Sequence, residues 1–309
     1  MAILALGGIN MDFIVEAPVI AGRGETREGT RFYTTPGGKG ANQAVAAARI
    51  LDGRQPVEMA GMLGGDQYSD EMRAYLESAG VGTQFVGAAE GQHCGVAVIL
   101  IDGTGENSVN AVYGANTLVD EDLALSAATA VLDSNSVLLV QQETPLEATA
   151  AAMRLARERG ATVILDPAPT REQAAFLLPL ADIVTPNEHE AAELSGRLVD
   201  GPGSAREAAR TLRERGAAVA IVTLAAQGVW VEADGISELV PSFEVTPVAT
   251  VGAGDAFNGG LAAGLALGLD LREAARIGVA TGALCVTRPG AQESMPARAE
   301  VEALLAGGS

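Results

Sequence analysis

From about residue 137 onward, short apolar runs alternate with helical stretches, and few folds accept that pattern. Residues 137–141, 161–166, 182–185 and 217–224 read as strands. Residues 145–159, 188–194 and 204–215 have helical spacing. Strands apolar at successive positions must be buried on both faces, which calls for a parallel sheet between two helical layers. The expectation is one α/β domain over residues 1–309, a three-layer sandwich built on a mostly parallel sheet.

The N-terminal third differs. Residues 12–16 and 30–35 are strand-like, with a glycine-rich link between them. Residues 95–101 and 108–113 flank Asp102-Gly103-Thr104-Gly105-Glu106-Asn107, which reads as a hairpin loop. These two insertions, about 12–35 and 94–113, are expected to form a small β-sheet beside the main domain. A sheet with one apolar face needs a cover. It would lie over the active site, against a second copy, or both.

Composition bounds the partners. The net charge is −19, which repels nucleic acid and anionic membrane. Any site for a phosphate ligand must therefore be locally positive. Aromatics make up 4%, so Ala, Val, Leu and Ile must fill the core. Residues 257–269, the longest apolar stretch, are too short to cross a bilayer. Residues 1–6 lack a basic flank and read as a first buried strand rather than a leader. Cys94 and Cys285 match no zinc or redox spacing, and a reduced cytosolic setting is expected.

Of 20 Lys and Arg residues, Lys39 is the only lysine. It sits in Pro36-Gly37-Gly38-Lys39-Gly40-Ala41-Asn42-Gln43, where a compact ammonium would fit and a planar guanidinium would not. This is not a Walker A loop, since Gly40 replaces Ser or Thr. Lys39 and Asn42 suit sugar hydroxyls, and Gly38 lets the backbone approach a ligand.

The most informative segment is Thr250-Val251-Gly252-Ala253-Gly254-Asp255-Ala256-Phe257-Asn258-Gly259-Gly260. Gly252 and Gly254 allow tight turns, and a helix is expected from about Asp255. Free amides at a helix start attract anions. An acid there is out of place unless it works as a general base beside a transferring phosphoryl group. The plainer reading is that Asp255 caps the helix.

Weaker segments point to the same rim. In Gly7-Gly8-Ile9-Asn10-Met11-Asp12, the amide of Asn10 and the carboxylate of Asp12 would follow the first strand and suit vicinal diols; a simple turn is the alternative. In Pro186-Asn187-Glu188-His189-Glu190, Asn187 and Glu190 share one side of a helix start. They suit Mg²⁺ held through waters, or an ordinary cap with acids in the first turn. Glu143 ends one strand, and Thr223, with Ala225 and Gly228, ends another.

Together these segments resemble the ribokinase-like carbohydrate kinases. The likeness runs in order through nearly the whole chain. It takes in Gly-Glu-Asn at 105–107, Gly114-Ala115-Asn116, Asp166-Pro167-Ala168-Pro169, Thr185-Pro186-Asn187-Glu188 and Val286-Thr287-Arg288 with Gly290-Ala291. The resemblance implies ATP-dependent phosphorylation of the primary hydroxyl of ribose. Asp255 would be the base, and the amides from Gly252 through Ala253 and Gly254 to Asp255 the anion hole. Asn10, Asp12, Gly38, Lys39, Asn42 and Glu143 would hold the sugar. Asn187 and Glu190 would organise Mg²⁺. Thr223, Ala225 and Gly228 would line the nucleotide site, along with Asn187, Gly252 and Gly254. The small sheet would be a lid and the interface of a homodimer.

Two positions depart from the family pattern. Ala249 stands where an Asp is usual in a monovalent-cation (K⁺) site, completed by carbonyls of Val251, Cys285, Arg288 and Gly290 and by Ser294. Loss of that carboxylate predicts weakened or absent K⁺ dependence. Ala225 replaces a usual glycine, and its Cβ is expected to crowd the nucleotide phosphates. Within the kinase class, fructose, 2-deoxyribose, adenosine and pseudouridine are the competing substrates. A sugar-binding regulator without catalysis is the reading from outside it, and retention of Asp255 argues against that.

Overall fold

The computed structural model describes residues 1–104 and 107–307. Gly105 and Glu106, at the tip of the expected hairpin, lie outside the described residues. In chain order the first elements are β1 (Ile3–Leu6), β2 (Asn10–Glu16), β3 (Arg31–Gly37), α1 (Lys39–Leu51), β4 (Val57–Leu63), α2 (Gln67–Ser78) and β5 (Gly82–Ala88). Next come β6 (Gly95–Ile101), β7 (Asn107–Val112), α3 (Glu121–Val131), β8 (Val137–Val140), α4 (Leu146–Glu158), β9 (Thr162–Leu165) and β10 (Ile183–Val184). The rest are α5 (Glu188–Ser195), α6 (Pro202–Glu214), β11 (Val219–Thr223), β12 (Val229–Ala233), β13 (Ile236–Val240), α7 (Ala253–Ala266), α8 (Leu271–Cys285) and α9 (Arg298–Gly307).

The large sheet has the order β13-β12-β11-β10-β9-β8-β1-β4-β5. It is parallel from β11 to β5, and β12 and β13 close one edge antiparallel. The four residues of β1 and of β8 are all buried. Their side chains alternate between two cores. Ile3, Ala5, Val137 and Leu139 face the layer of α1, α2, α7, α8 and α9. Leu4, Leu6, Leu138 and Val140 face the layer of α3 to α6. The three-layer sandwich expected from the apolar runs is what forms, and the reason is visible here: each strand feeds two cores.

Small residues set the spacing of the first layer. A Cβ at Gly259 of α7 would lie 2.4 Å from the Cβ of Ala46 on α1, and one at Gly264 would lie 2.7 Å from Ala274 Cα on α8. Gly259 and Gly264 therefore serve close helix packing, whereas Gly268 turns the chain after α7 with φ 79°. No helix among the described residues is long and apolar enough to cross a membrane.

The small sheet has the order β3-β2-β6-β7. It contains Asn10 and Asp12, which the sequence reading assigned to the end of the first strand. They lie instead two apart in β2, so one face of this second sheet carries both.

Candidate active site

β1 is where the sheet changes direction: the chain extends to β4 on one side and to β8 on the other. Ligands gather at such a point beyond the strand ends. Gly7 and Gly8 follow β1, Gln141 to Glu143 follow β8, Asp166 follows β9, Asn187 follows β10, and Thr223 ends β11. Gly38 caps α1 with φ 89°, and a Cβ there would lie 2.6 Å from the carbonyl of Gly8. Only glycine lets the start of α1 rest on the turn after β1.

That contact delivers Lys39 to the rim. Its backbone N–H donates to Glu143 Oε2 at 2.8 Å. Its Nζ lies 3.8 Å from Asp166 Oδ2 and 3.9 Å from Asp255 Oδ1. Further along α1, Asn42 Nδ2 donates to Asp255 Oδ2 at 2.8 Å. Gln43 Nε2 donates to Asp255 Oδ1 at 3.1 Å and to Asp166 Oδ2 at 2.8 Å. Gln141 Nε2 fixes Gln43 by donating to its Oε1 at 2.6 Å. Both oxygens of Asp255 are thus aimed by amides from one helix.

Asp255 does not cap α7. Gly252 is the cap, with φ 79°, and Asp255 is the third helical residue, 5% exposed. The amide of Ala253 turns back to Thr250 O at 3.3 Å, whereas those of Gly254 and Asp255 have no backbone acceptor among the described residues. The buried carboxylate and the free amides therefore share one turn.

On β2, Asn116 Nδ2 donates to Asn10 Oδ1 at 2.8 Å, so Gly114-Ala115-Asn116 orients the start of this strand. Asp12 Oδ1 and Asn42 Oδ1 are buried acceptors with no hydrogen-bond partner among the described residues. Burial pushes the Asp12 carboxyl up to about 8, helped by the charges of Glu143, Asp255 and Glu293. Burial also raises Glu143, Asp166 and Glu190. For Lys39, burial opposes the charged form, but Asp166, Asp255 and Glu143 outweigh it and hold the ammonium above the ordinary lysine range. The ammonium thus answers four carboxylates, Asp166, Asp255, Glu143 and Glu190, although no three acidic side chains among the described residues come close enough together to hold a metal ion by themselves.

On the other side of the α7 turn lies a cavity of about 560 Å³, lined by Thr223, Ala225, Gly228, Ala253, Gly254 and Gly282 among others. Ala225 adopts φ 46°, a left-handed conformation for a residue with a Cβ. At Gly228 a Cβ would lie 2.1 Å from Val240 O. Asn187 and Glu190 form a full capping box on α5. Asn187 Oδ1 accepts from Glu190 N at 2.9 Å, and Glu190 Oε2 accepts from Asn187 N at 2.9 Å. The cap reading holds for these two, and it leaves Glu190 Oε1 outside the box.

The sequence profile of the pfkB family carbohydrate kinases matches residues 2–298. The chain belongs to this family. It is 37% identical to a ribokinase of Haemophilus influenzae, covering 96% of this chain and 95% of that one. A ribokinase of Bacillus subtilis is 38% identical, with 98% and 99% covered. Among solved structures, Arabidopsis thaliana ribokinase complexed with ribose and ATP superposes with a TM-score of 0.85 at 28% identity, with 98% of each chain covered.

The loop near Ala249 is held by backbone hydrogen bonds. Val248 N and Ala249 N both donate to Val286 O, at 2.7 and 3.2 Å. Arg288 N donates to Cys285 O at 3.3 Å, and the Arg288 side chain pairs with Glu300. Gly290 has φ 94°. Cys285 Sγ lies 3.0 Å from Ser294 Oγ and 3.8 Å from Val251 O, while Ser294 Oγ donates to Ala291 O at 2.7 Å.

Two residues of the cluster had no role assigned from sequence. Gln43 follows Asn42 directly, and its spacing of four from Lys39 on a helix was the available signal. Asp166 ends a strand as Glu143 does, and that shared rim position marks it.

Proposed function

We propose that this kinase transfers the γ-phosphoryl group of ATP to the primary hydroxyl of D-ribose, giving ribose 5-phosphate and ADP. One observation carries the reading: a buried carboxylate with both oxygens aimed by Asn42 and Gln43, in the same helical turn as the free amides of Gly254 and Asp255. Asp255 takes the hydroxyl proton as the oxygen attacks phosphorus, and the amides stabilise charge on the transferring group. Asp12 Oδ1 and Asn42 Oδ1 offer unused buried acceptors to sugar hydroxyls, with Asn10, Gly38, Lys39 and Glu143 around them. A buried acceptor left unmatched is costly, so a hydroxyl-bearing ligand is favoured there.

The nucleotide takes the cavity beside Thr223, Ala225 and Gly228. Mg²⁺ would neutralise phosphate charge, and Asn187 and Glu190 are the residues to hold it through water. The four strands of the small sheet act as a lid over the sugar site, to which β2 brings Asn10 and Asp12. Phe32, Val98, Val109 and Val112 are exposed on it, and a second copy of this chain is the occupant proposed; sedimentation velocity reports that state. A net charge of −19 and two free, buried cysteines fit a cytosolic enzyme without nucleic-acid or membrane partners.

An ADP-release assay with Mg-ATP over ribose, 2-deoxyribose, fructose, adenosine and pseudouridine tests the reading. Ribose should have the highest kcat/KM. No turnover with any sugar, alongside thermal stabilisation by ribose, would replace it with a binding module.

A further inference from the structure

We infer that in this chain a thiol stands in for the monovalent cation of its family, so that Cys285 is a positioning residue for the anion hole and turnover needs no K⁺. This rests on the reading of residues 252–255 as that hole.

A K⁺ site needs several oxygens free to converge and, beside a phosphoryl group, negative charge to balance the ion. This chain lacks the charge at residue 249, and a sulfur lies between two of the oxygens. Ala249 has no carboxylate, and its amide is tied to Val286 O at 3.2 Å. Ser294 Oγ has given its proton to Ala291 O at 2.7 Å, which leaves its lone pairs facing Cys285 Sγ at 3.0 Å. The same sulfur lies 3.8 Å from Val251 O. It therefore occupies the space between two of the expected ligands, the Val251 carbonyl and the Ser294 hydroxyl. Cys285 is fully buried, as is Ser294.

The location gives the thiol a task. Val251 immediately precedes Gly252, the cap of α7, so whatever steadies the Val251 carbonyl steadies the turn carrying Gly254 and Asp255. A cation would do this by drawing several oxygens inward. Here one S–H, shared between Val251 O and Ser294 Oγ, links the turn to the 291–294 segment. That segment also braces the lid strand, since Gln292 Nε2 donates to Gly37 O at 3.2 Å and Thr35 Oγ1 donates to Glu293 at 2.6 Å. A weak neutral donor suffices because Ala249 brings no carboxylate of its own to be neutralised.

The test uses the intact enzyme in K⁺, Na⁺ or tetramethylammonium chloride at equal ionic strength. Wild-type kcat should agree within twofold across the three salts. Loss of more than fivefold in tetramethylammonium overturns the inference, whereas an enzyme inactive in all three fails the kinase reading instead. Cys285→Ala should lower kcat about tenfold with the sugar KM unchanged, and Cys285→Ser, which keeps a donor, should recover most of it. If Cys285→Ala keeps kcat within twofold while only its melting temperature falls, the thiol merely fills space and the inference fails. In Ala249→Asp/Cys285→Ala, K⁺ should raise both kcat and melting temperature. Indifference of this folded double variant to K⁺ on both measures also counts against it.

Discussion

Asp255→Asn removes the proposed base while nearly keeping its shape. In the parent, Oδ2 accepts from Asn42 at 2.8 Å and Oδ1 accepts from Gln43 at 3.1 Å. An asparagine has one oxygen and one amino group, so either orientation sets a donor against a donor. One unmade buried hydrogen bond costs about 1–3 kcal/mol. Removing the charge relieves repulsion with neighbouring carboxylates but also gives up the Lys39 Nζ contact at 3.9 Å, so the net loss of stability should stay within that range of about 1–3 kcal/mol. The rate is affected far more. Loss of a general base typically lowers kcat about 10²–10⁴-fold, or about 3–5 kcal/mol of barrier. A coupled ADP-release assay gives kcat and KM, and calorimetry gives ribose affinity, which should change much less than the rate. A kcat within tenfold of the parent would refute the assignment. So would a loss that disappears at saturating ribose, because Asp255 would then be a binding group.

Two further outcomes follow from the same site. The Asp12 carboxyl titrates at about 8 when folded against an ordinary 3.8, so between those values the folded chain holds a proton that the unfolded chain has released. Its contribution is full below pH ~4 and is lost as pH rises toward 8. Asp12→Asn should flatten that loss in denaturant midpoints at pH 5 and 8, and weaken ribose binding roughly 10–100-fold, because the amide offers one acceptor oxygen where the carboxyl has two. An unchanged ribose Kd would remove Asp12 from the sugar site. Glu190→Gln keeps an oxygen for the Asn187 amide, so stability should hold within about 0.5 kcal/mol. The Mg²⁺ concentration for half-maximal rate should rise about tenfold if one charged ligand is lost. An unchanged Mg²⁺ titration would leave Glu190 with its cap alone.

The architecture was legible because the central strands of the large sheet are almost continuously apolar. Residues 137–140, 162–165 and 219–223 fall where the runs are. β10 shrinks to Ile183–Val184 because Asp182 and Thr185, at the ends of the run, are polar. What stayed hidden was which sheet a short polar segment joins. Asn10 and Asp12 follow β1 so closely that they read as its end, yet Gly7 and Gly8 turn the chain into the second sheet, where Asn10 pairs with Gly37 and Gly95. Asp255 as cap or base was open, since both call for an acid near a helix start. The choice rests on Asn42 and Gln43, more than 200 residues away in sequence. Cys285 carried no local signal at all; its meaning comes from Ser294 and Val251.

Lys39 between Asp166 and Asp255 makes the chain unusually simple to interrogate with chemistry. Every other basic side chain is arginine, so amine-directed acylation has two targets, the N-terminus and this ammonium. The flanking carboxylates keep Lys39 protonated, and a protonated amine is a poor nucleophile. Its acylation rate therefore reads out the charge of the catalytic centre. The rate should rise when either carboxylate is neutralised and fall when bound sugar covers the ammonium. One mass-spectrometric peak, from the peptide spanning residue 39, would report on occupancy and on the charge state of the centre without any turnover.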